Sequence, residues 1–169
     1  MTLPLKYSYA PMEAQSVAEL PTGPQWQYEP KWDGFRCIAF RDGARVELRS
    51  KAGKSLSRYF PEIVAALGKL RAKKFVLDGE LVIPQDKALS FDALLQRIHP
   101  AASRITKLST ETPAMYVVFD LLVGERGRAL VDESLKERRR MLEAFADRYF
   151  GAESAFMRLS PSTRSLPIA

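Results

Sequence analysis

The residues with the clearest chemical potential form one short run, E-P-K-W-D-G-F-R over residues 29–36. Pro30 ends an entering strand and Gly34 permits a tight turn before the next one, so Lys31 is expected to project from a loop. A lysine acts as a nucleophile only in its neutral form. A neighbouring cation such as Arg36, a bound metal ion or partial desolvation favours that form, whereas Asp33 disfavours it. Taken alone, such a run is more often a surface turn closed by an ion pair.

Two carboxylate sites occur inside strands that are otherwise apolar. Asp78, Gly79 and Glu80 interrupt the run F-V-L-D-G-E-L-V-I, where a buried charge is costly unless it is paired or bound to a cation. Hard oxygen ligands of this kind suit Mg²⁺, which commonly uses one or two carboxylates together with phosphate oxygens and water. Phe119 and Asp120 lie within A-M-Y-V-V-F-D-L-L-V, where the aromatic ring could stack on a nucleobase or simply join the core. The order of lysine loop, carboxylate strand and aromatic-carboxylate strand is the feature that a functional interpretation must explain.

Positive charge is concentrated in one part of the chain. The 169 residues carry 26 Lys and Arg against 20 Asp and Glu, a formal net charge of +6. Residues 31–74 contain 12 basic and 4 acidic residues, a net of +8, so the remainder of the chain sums to −2. A basic block within a folded domain favours binding of phosphates or nucleic acid, although a solvated basic surface would have the same composition.

The composition excludes several classes of site. Cys37 is the only cysteine, so no internal disulfide can form, and its place in an alternating run predicts core packing. His99 is the only histidine, which excludes multi-histidine metal sites, and its position before Pro100 predicts a helix cap or a surface residue. No apolar run approaches the roughly 18 residues that a membrane span needs, so we expect a cytoplasmic protein without a membrane partner.

The elements expected to position these residues form an α+β domain of antiparallel sheets with flanking helices. The first thirty residues contain five prolines and little periodicity, which predicts an extended lead-in over residues 1–24. Asp42-Gly43 between two alternating runs predicts a hairpin. Strands are predicted over 26–29, 35–41, 44–49, 75–83, 114–123 and 156–160, and helices over 60–70, 91–98 and 135–150. Arg138–Arg140 are expected to lie largely on the solvent face of the last helix.

Together these runs resemble the motifs of the covalent nucleotidyltransferases, which comprise DNA ligases, RNA ligases and mRNA capping enzymes. Residues 29–36 resemble the nucleotidyl-acceptor motif K-x-D-G-x-R, F-V-L-D-G-E-L-V resembles the D-G-E strand, and Y-V-V-F-D-L-L resembles the aromatic-carboxylate strand. Residues 48–63 resemble the S-R-x-G segment followed by an F-P-E helix start. The combination is most similar to bacterial ATP-dependent DNA ligases of the end-joining type, and it implies the nucleotidyltransferase fold of their adenylation domain.

The resemblance implies a role for each residue that matches a motif. Lys31 would attack the α-phosphate of ATP, release pyrophosphate and carry AMP as a phosphoramidate. Glu29 and the neighbouring backbone at Pro30 would contact the adenine, and Phe119 would stack on it. Arg36 would bind the ribose-phosphate of the nucleotide or the 5′-phosphate of DNA.

Glu80 is implied to hold the sugar or a metal ion, Mg²⁺ or Mn²⁺. One position departs from the family pattern, because Lys51 follows Ser50 where the family usually has arginine. A lysine keeps the attraction for phosphate but loses the bidentate fork, so Arg49 is a candidate substitute for that contact. The remaining supporting residues are Asp33, Gly34, Asp78 and Asp120.

The implied reaction is the sealing of a nick. AMP would pass from the lysine to a DNA 5′-phosphate, and a 3′-hydroxyl would then displace it. The expected partners are ATP, nicked or broken double-stranded DNA and end-joining proteins, for a monomeric protein of the bacterial cytoplasm and nucleoid. An RNA ligase or a capping-type enzyme would differ in RNA substrate or GTP preference, and a noncatalytic nucleic-acid-binding module would use the basic block alone.

Two further motifs of this family, E-G-x-V and L-K-x-K, do not occur in the sequence. We therefore expect residues 25–169 to be a partial adenylation domain that lacks its carboxyl end, without the oligonucleotide-binding domain that usually follows. The lysines of the second motif would neutralise the α-phosphate, and the glutamate of the first would help to bind metal. Without them, self-adenylation by this polypeptide alone is expected to be weak or absent.

Overall fold

The computed structural model describes residues 3–85, 88–98, 101–151 and 155–165, which contain seven strands and four helices. In chain order these are β1 (Phe35–Asp42), β2 (Arg45–Ser50), α1 (Pro61–Lys69), β3 (Lys74–Val82), β4 (Pro84–Gln85), β5 (Ala88–Leu89), α2 (Phe91–Leu95), α3 (Ala102–Glu111), β6 (Met115–Val123), α4 (Leu135–Tyr149) and β7 (Met157–Leu159). His99, predicted to be a cap or a surface residue, lies outside the described residues.

A five-stranded sheet carries the candidate site, with its strands in the order β2-β1-β3-β6-β7. Neighbouring strands are antiparallel except β6 and β7, which run parallel. The predicted hairpin between β1 and β2 turns at Gly43, whose φ of +62° is the left-handed conformation that glycine adopts readily. The prediction of an α+β fold built on antiparallel strands is confirmed.

The two faces of this sheet are covered by different parts of the chain. On β1, Cys37 and Ala39 pack toward the helices, whereas the alternating Ile38 and Phe40 pack toward the amino-terminal segment. Cys37 is fully buried, which confirms its prediction as a core residue. The amino-terminal side chains on the second face are Leu3, Leu5, Tyr7 and Tyr9. Residues 3–9, which contain no helix or strand, therefore serve as the cover of one sheet face.

Helix α1 begins at Pro61 and α2 is capped by Ser90, as the sequence predicts. The Ser90 side chain accepts a hydrogen bond from the amide of Ala93 at 3.2 Å, although α2 ends at Leu95, three residues earlier than expected. Helix α3 was not predicted, because its sequence is mostly polar and Ile105 is its one buried residue. No helix within the described ranges is long and apolar enough to cross a bilayer.

The predicted strand over 26–29 is wrong. In its place, Tyr28 forms an isolated antiparallel bridge with Thr163, with two backbone hydrogen bonds of 2.8 and 2.9 Å. Pro30 lies two residues after Tyr28, and because proline has no amide hydrogen to donate, the pairing does not extend into the lysine loop. The bridge nevertheless ties the approach to Lys31 to a segment far along the chain.

The expectation that Arg138–Arg140 lie largely on a solvent face is also wrong for the first two. Arg138 and Arg139 are buried because α4 packs on the sheet with these side chains beneath it. The Nε of Arg138 lies 2.9 and 3.0 Å from the two carboxylate oxygens of Asp120, and the Nε of Arg139 donates to Glu143 at 2.7 Å. Burial of a guanidinium is tolerated when carboxylates meet it.

Candidate active site

A cavity of about 540 Å³ opens where the lysine loop meets β3 and β6. It brings together nine of the residues predicted from the sequence, namely Glu29, Pro30, Lys31, Asp33, Gly34, Arg36, Lys51, Glu80 and Phe119. The remainder of its wall is formed by Pro11, Met12, Glu13, Ala14 and Trp32. The predicted residues Arg49, Asp78 and Asp120 are not among those that line it.

Close packing fixes the lysine loop in the residues that follow Lys31. A Cβ added to Gly34 would lie 2.3 Å from the carbonyl oxygen of Leu81, so the backbone here approaches β3 more closely than any other residue allows. The indole Nε1 of Trp32 donates to the hydroxyl of Ser160 at 2.9 Å, and that serine is fully buried. Lys31 itself immediately precedes these two contacts and is exposed. The loop therefore presents the Lys31 side chain from a fixed backbone.

Arg36 and Asp78 form a two-pronged ion pair beside the cavity. The Nε and Nη2 of Arg36 lie 2.7 and 2.8 Å from the two oxygens of Asp78, a geometry that is stronger than a single contact. Burial raises the pKa of Asp78, and the Arg36 hydrogen bond and charge oppose that rise. The Arg36 guanidinium carbon also lies 4.5 Å from the ring centroid of Phe119. Asp78 does not line the cavity itself, but its ion pair positions Arg36 against the ring of Phe119.

Glu80 is the carboxyl group of β3 that lines the cavity directly. Burial raises its pKa to about 7, with a further contribution from Asp78, whereas Arg36 and Lys31 act to lower it. The described part of the chain holds no group of three or more His, Cys, Asp or Glu side chains that could enclose a metal ion. One hard carboxylate on a cavity wall nevertheless fits Mg²⁺, which binds few protein ligands and completes its shell with water and substrate phosphates.

The two cations of the 49–51 segment have separate environments. Lys51 lines the cavity, and its Nζ lies 2.8 Å from the carboxylate of Glu13 on the amino-terminal segment. The guanidinium of Arg49 instead lies 5.1 Å from the ring centroid of Tyr7, and its Nε lies 3.0 Å from Glu47. Lys51, rather than Arg49, is therefore the cation available at this wall.

Asp120 supports the fold beside the site. Its carboxylate is bound by Arg138 and by the amide of Leu121 at 2.8 Å, so it connects β6 to α4. Sequence reasoning missed this pairing, and it also missed the wall over residues 11–14 and the contact of Trp32 with Ser160. The one available signal was Asp120 itself, because a charge within an apolar strand requires a partner.

Residues 11–161 match the family model of the ATP dependent DNA ligase domain. The chain belongs to the ATP-dependent DNA ligase family. It is 46% identical over 175 residues to DNA ligase C2 of Mycolicibacterium smegmatis, an alignment that covers all of this chain and 46% of that protein. It is also 33% identical over 123 residues to the multifunctional non-homologous end joining DNA repair protein LigD of Mycobacterium tuberculosis, covering 73% of this chain and 15% of LigD. The chain thus spans less than half the length of these relatives.

The solved ligase domain of M. tuberculosis LigD has the same fold. It superposes with a TM-score of 0.59 at 26% identity, covering 83% of this chain and 41% of that domain. The fold is therefore that of the ligase adenylation domain, as the motifs predict. Membership of this family also favours the DNA ligase interpretation over the RNA ligase and capping-enzyme alternatives.

Proposed function

We propose that this chain is the adenylation portion of an ATP-dependent DNA ligase, in which Lys31 accepts AMP from ATP. The observation that carries the proposal is the convergence of Lys31, Arg36, Glu80 and Phe119 on one cavity in a member of this family. In this proposal, residues 25–169 are a partial adenylation domain. The lead-in over residues 1–24 contributes a wall of the site, since residues 11–14 line the same cavity.

The residues divide the work of the first step between binding and attack. Phe119 and Glu29 receive the base, while Arg36 and Lys51 attract the ribose-phosphate oxygens. Lys31, once it has lost a proton, forms a bond from Nζ to the α-phosphorus, and the bond from that phosphorus to the pyrophosphate oxygen breaks. Pyrophosphate leaves with the electron pair. Positioning and cationic stabilisation of the phosphate oxygens supply most of the acceleration in such transfers.

Glu80 is the residue that would hold Mg²⁺ or Mn²⁺. The bound ion supplies neutralisation of negative charge on the phosphate oxygens. Because burial raises the pKa of Glu80 to about 7, ligation of a cation would displace a proton from a carboxyl group that is partly protonated at neutral pH. Asp33 also lines the cavity and adds a second carboxylate to the one that Glu80 supplies.

The later steps require DNA. AMP passes from Lys31 to a 5′-phosphate, and a 3′-hydroxyl then attacks that phosphate and displaces AMP to close the nick. Exposed basic residues of the block over residues 31–74, including Lys54 and Arg58, are available to bind the DNA backbone. We propose that the protein's substrate is nicked or broken double-stranded DNA and that its partners are end-joining proteins. It would act as a monomer in the bacterial cytoplasm, at the nucleoid.

The test is covalent labelling with ATP that carries the label on its α-phosphate, in the presence of Mg²⁺. The wild-type chain should acquire a weak, acid-labile label that maps to Lys31, and the Lys31→Arg variant should acquire none. The label is expected to be weak because the chain lacks the E-G-x-V and L-K-x-K motifs.

Two results would count against these expectations. Equal labelling of wild type and Lys31→Arg would show that Lys31 is not the acceptor. Rapid stoichiometric labelling of Lys31 would show that the two further motifs are not needed for the first step. A trace of phosphoramidate at Lys31, lost on mild acid treatment, supports the proposal as stated.

A further inference from the structure

Arg139 is a buried cation with one hydrogen-bonding group that is not satisfied. Its side chain is 8% exposed, and its Nε donates to Glu143 at 2.7 Å. Its Nη1 has no hydrogen-bond partner in the part of the chain that the structure describes. The group facing it is Glu29, with 3.8 Å between Nη1 and Oε1, close enough for charge attraction but beyond hydrogen-bonding distance. A small movement that brought the Glu29 carboxylate within hydrogen-bonding distance of this buried N–H would therefore be stabilising.

Glu29 lies between Arg139 and the cavity. Gln27 donates to Oε1 of Glu29 at 2.6 Å, so the same oxygen is approached from the protein side by both Gln27 and Arg139. Among the described residues Oε2 receives no hydrogen bond, and the side chain lines the cavity beside Lys31. The carboxylate therefore has one oxygen engaged by the protein and one available to a ligand.

We propose that Arg139 is a positioning residue of the nucleotide site, which acts through Glu29 to set the preference for a purine with an amino group at its 6-position. The proposal rests on the function proposed above, because it assumes that the base binds at Glu29. An ionised carboxylate only accepts hydrogen bonds, so it matches the amino group of adenine and opposes the carbonyl oxygen that a 6-oxopurine presents at the same place. Arg139 holds the Glu29 carboxylate in the orientation that makes this distinction.

The charges around Glu29 agree with that geometry. Burial raises the pKa of Glu29, while the hydrogen bond from Gln27 and the charge of Arg139 lower it and the charge of Asp120 raises it. Without Arg139, less would oppose the rise that burial causes in the pKa of Glu29. The carboxyl group would then hold its proton to higher pH and could present a donor in place of an acceptor.

The first experiment needs no nucleotide. The pKa of the Glu29 carboxyl group is measured by carbon-13 NMR titration in wild type, R139M and R140M. Arg140 is the matched control, because it is the next residue of α4 but is exposed and paired with Glu137. We expect the pKa of Glu29 to rise in R139M and to stay unchanged in R140M. An unchanged pKa in R139M would overturn the inference.

The second experiment compares the binding of ATP and ITP, which differ at the 6-position of the purine, by calorimetry with Mg²⁺. Wild type and R140M should prefer ATP, and R139M should lose about tenfold in the ratio of affinities, the equivalent of one hydrogen bond to a charged group. Should R139M not fold, R139K is the substitute. Lysine keeps the positive charge but has a single nitrogen in place of the guanidinium group, so it cannot contact Glu143 and Glu29 at the same time.

The outcomes separate the two proposals. An ATP-to-ITP ratio equal to that of wild type in R139M or R139K would overturn the role of Arg139 and leave the proposed function standing. Failure of wild type to bind either nucleotide would contradict the proposed function together with the base preference, while the titration would still decide whether Arg139 acts on Glu29.

Discussion

At the residue scale, the position of Lys31 depends on a neighbour that has no side chain. Gly34 lies where the chain enters β1, and a methyl group there would overlap the Leu81 carbonyl at 2.3 Å and the Cγ of Glu80 at 2.9 Å. The first of these atoms belongs to the backbone of β3 and cannot rotate away. The position of Lys31 therefore depends on the close packing of Gly34 against β3.

Gly34→Ala should destabilise the fold by about 2–3 kcal/mol, because the sheet must separate locally to admit the methyl group. Gly68→Ala is the matched control, since a Cβ there lies 3.7 Å from its nearest neighbour and replaces glycine within α1. That control should be neutral or stabilising by up to about 1 kcal/mol. Urea unfolding of both variants measures the difference, and equal stability of the two would contradict the close approach.

Glu80 predicts a dependence of stability on pH. Its pKa is raised by burial from 4.5 to about 7, so between these values the folded protein retains a proton that the unfolded chain has lost. The free energy of unfolding should therefore fall as pH rises from 4.5 to about 7 and become level above it. After allowance for solvent screening, the contribution of this group is about 1–2 kcal/mol.

Glu80→Gln should remove that contribution. The loss of stability between pH 5 and pH 8, measured by urea unfolding, should be smaller in the variant than in wild type, because other titrating groups are shared and cancel in the comparison. An identical loss in the two proteins would show that Glu80 ionises as freely in the folded state as in the unfolded one.

At the scale of elements, α4 is attached to the sheet by a polar contact as well as an apolar one. Leu142 and Phe145 pack into the main core, while Arg138 meets the carboxylate of Asp120 on β6. Both members of this pair are at least nine-tenths buried, so each depends on the other for compensation of its charge. The same helix carries Arg139 toward Glu29, which links its placement to the nucleotide site.

Asp120→Ala should therefore cost about 3 kcal/mol, because it leaves the Arg138 guanidinium buried without its carboxylate. The comparison is Glu137→Ala, which breaks the exposed pair of Glu137 with Arg140 on the same helix and should leave the midpoint of urea unfolding unchanged. A small effect of Asp120→Ala would mean that water reaches Arg138 in its place.

Local patterns predicted most elements, and contacts distant in sequence account for what they missed. The Asp42-Gly43 turn, Pro61 at the start of α1 and the Ser90 cap are local signals, and each lies where expected. Helix α3 gave no such signal, because most of its side chains are polar and no side chain caps its first turn. The burial of Arg138 and Arg139 was missed because an amphipathic pattern assigns arginine to solvent, and only tertiary packing brings the compensating carboxylates to it.

At the scale of the whole molecule, segments far apart in the sequence contribute to the site. The bridge of Tyr28 with Thr163 and the bond of Trp32 with Ser160 hold the lysine loop from one side. Residues 11–14 close the cavity from the other, where the Nη2 of Arg36 donates to the carbonyl oxygen of Met12 at 3.2 Å. The motifs predicted which residues meet, but these supports were not recognisable in the sequence because nothing local marks them.

The three-dimensional structure also refines the meaning of the basic block over residues 31–74. Arg41 is buried and donates to the backbone carbonyls of Gly43 and Leu67, and Arg36 is committed to Asp78. Arg41 therefore stabilises the fold, and Arg36 lines the cavity. The charge available to a DNA backbone is therefore smaller than the net of +8 suggests, and the exposed basic residues of the block include Lys54 and Arg58.

Binding of duplex DNA should depend on salt through these exposed residues. Each phosphate contact contributes about 0.9 to the slope of log Kobs against log salt concentration, so the double variant Lys54→Ala/Arg58→Ala should be shallower than wild type by about 2. Arg104→Ala/Lys107→Ala removes the same charge from exposed positions on α3, outside the block, and should leave the slope unchanged. Fluorescence anisotropy over a salt series measures both. Equal loss of slope in the two variants would show that binding follows net charge alone, whereas a loss confined to the first locates the DNA on the surface that carries Lys54 and Arg58.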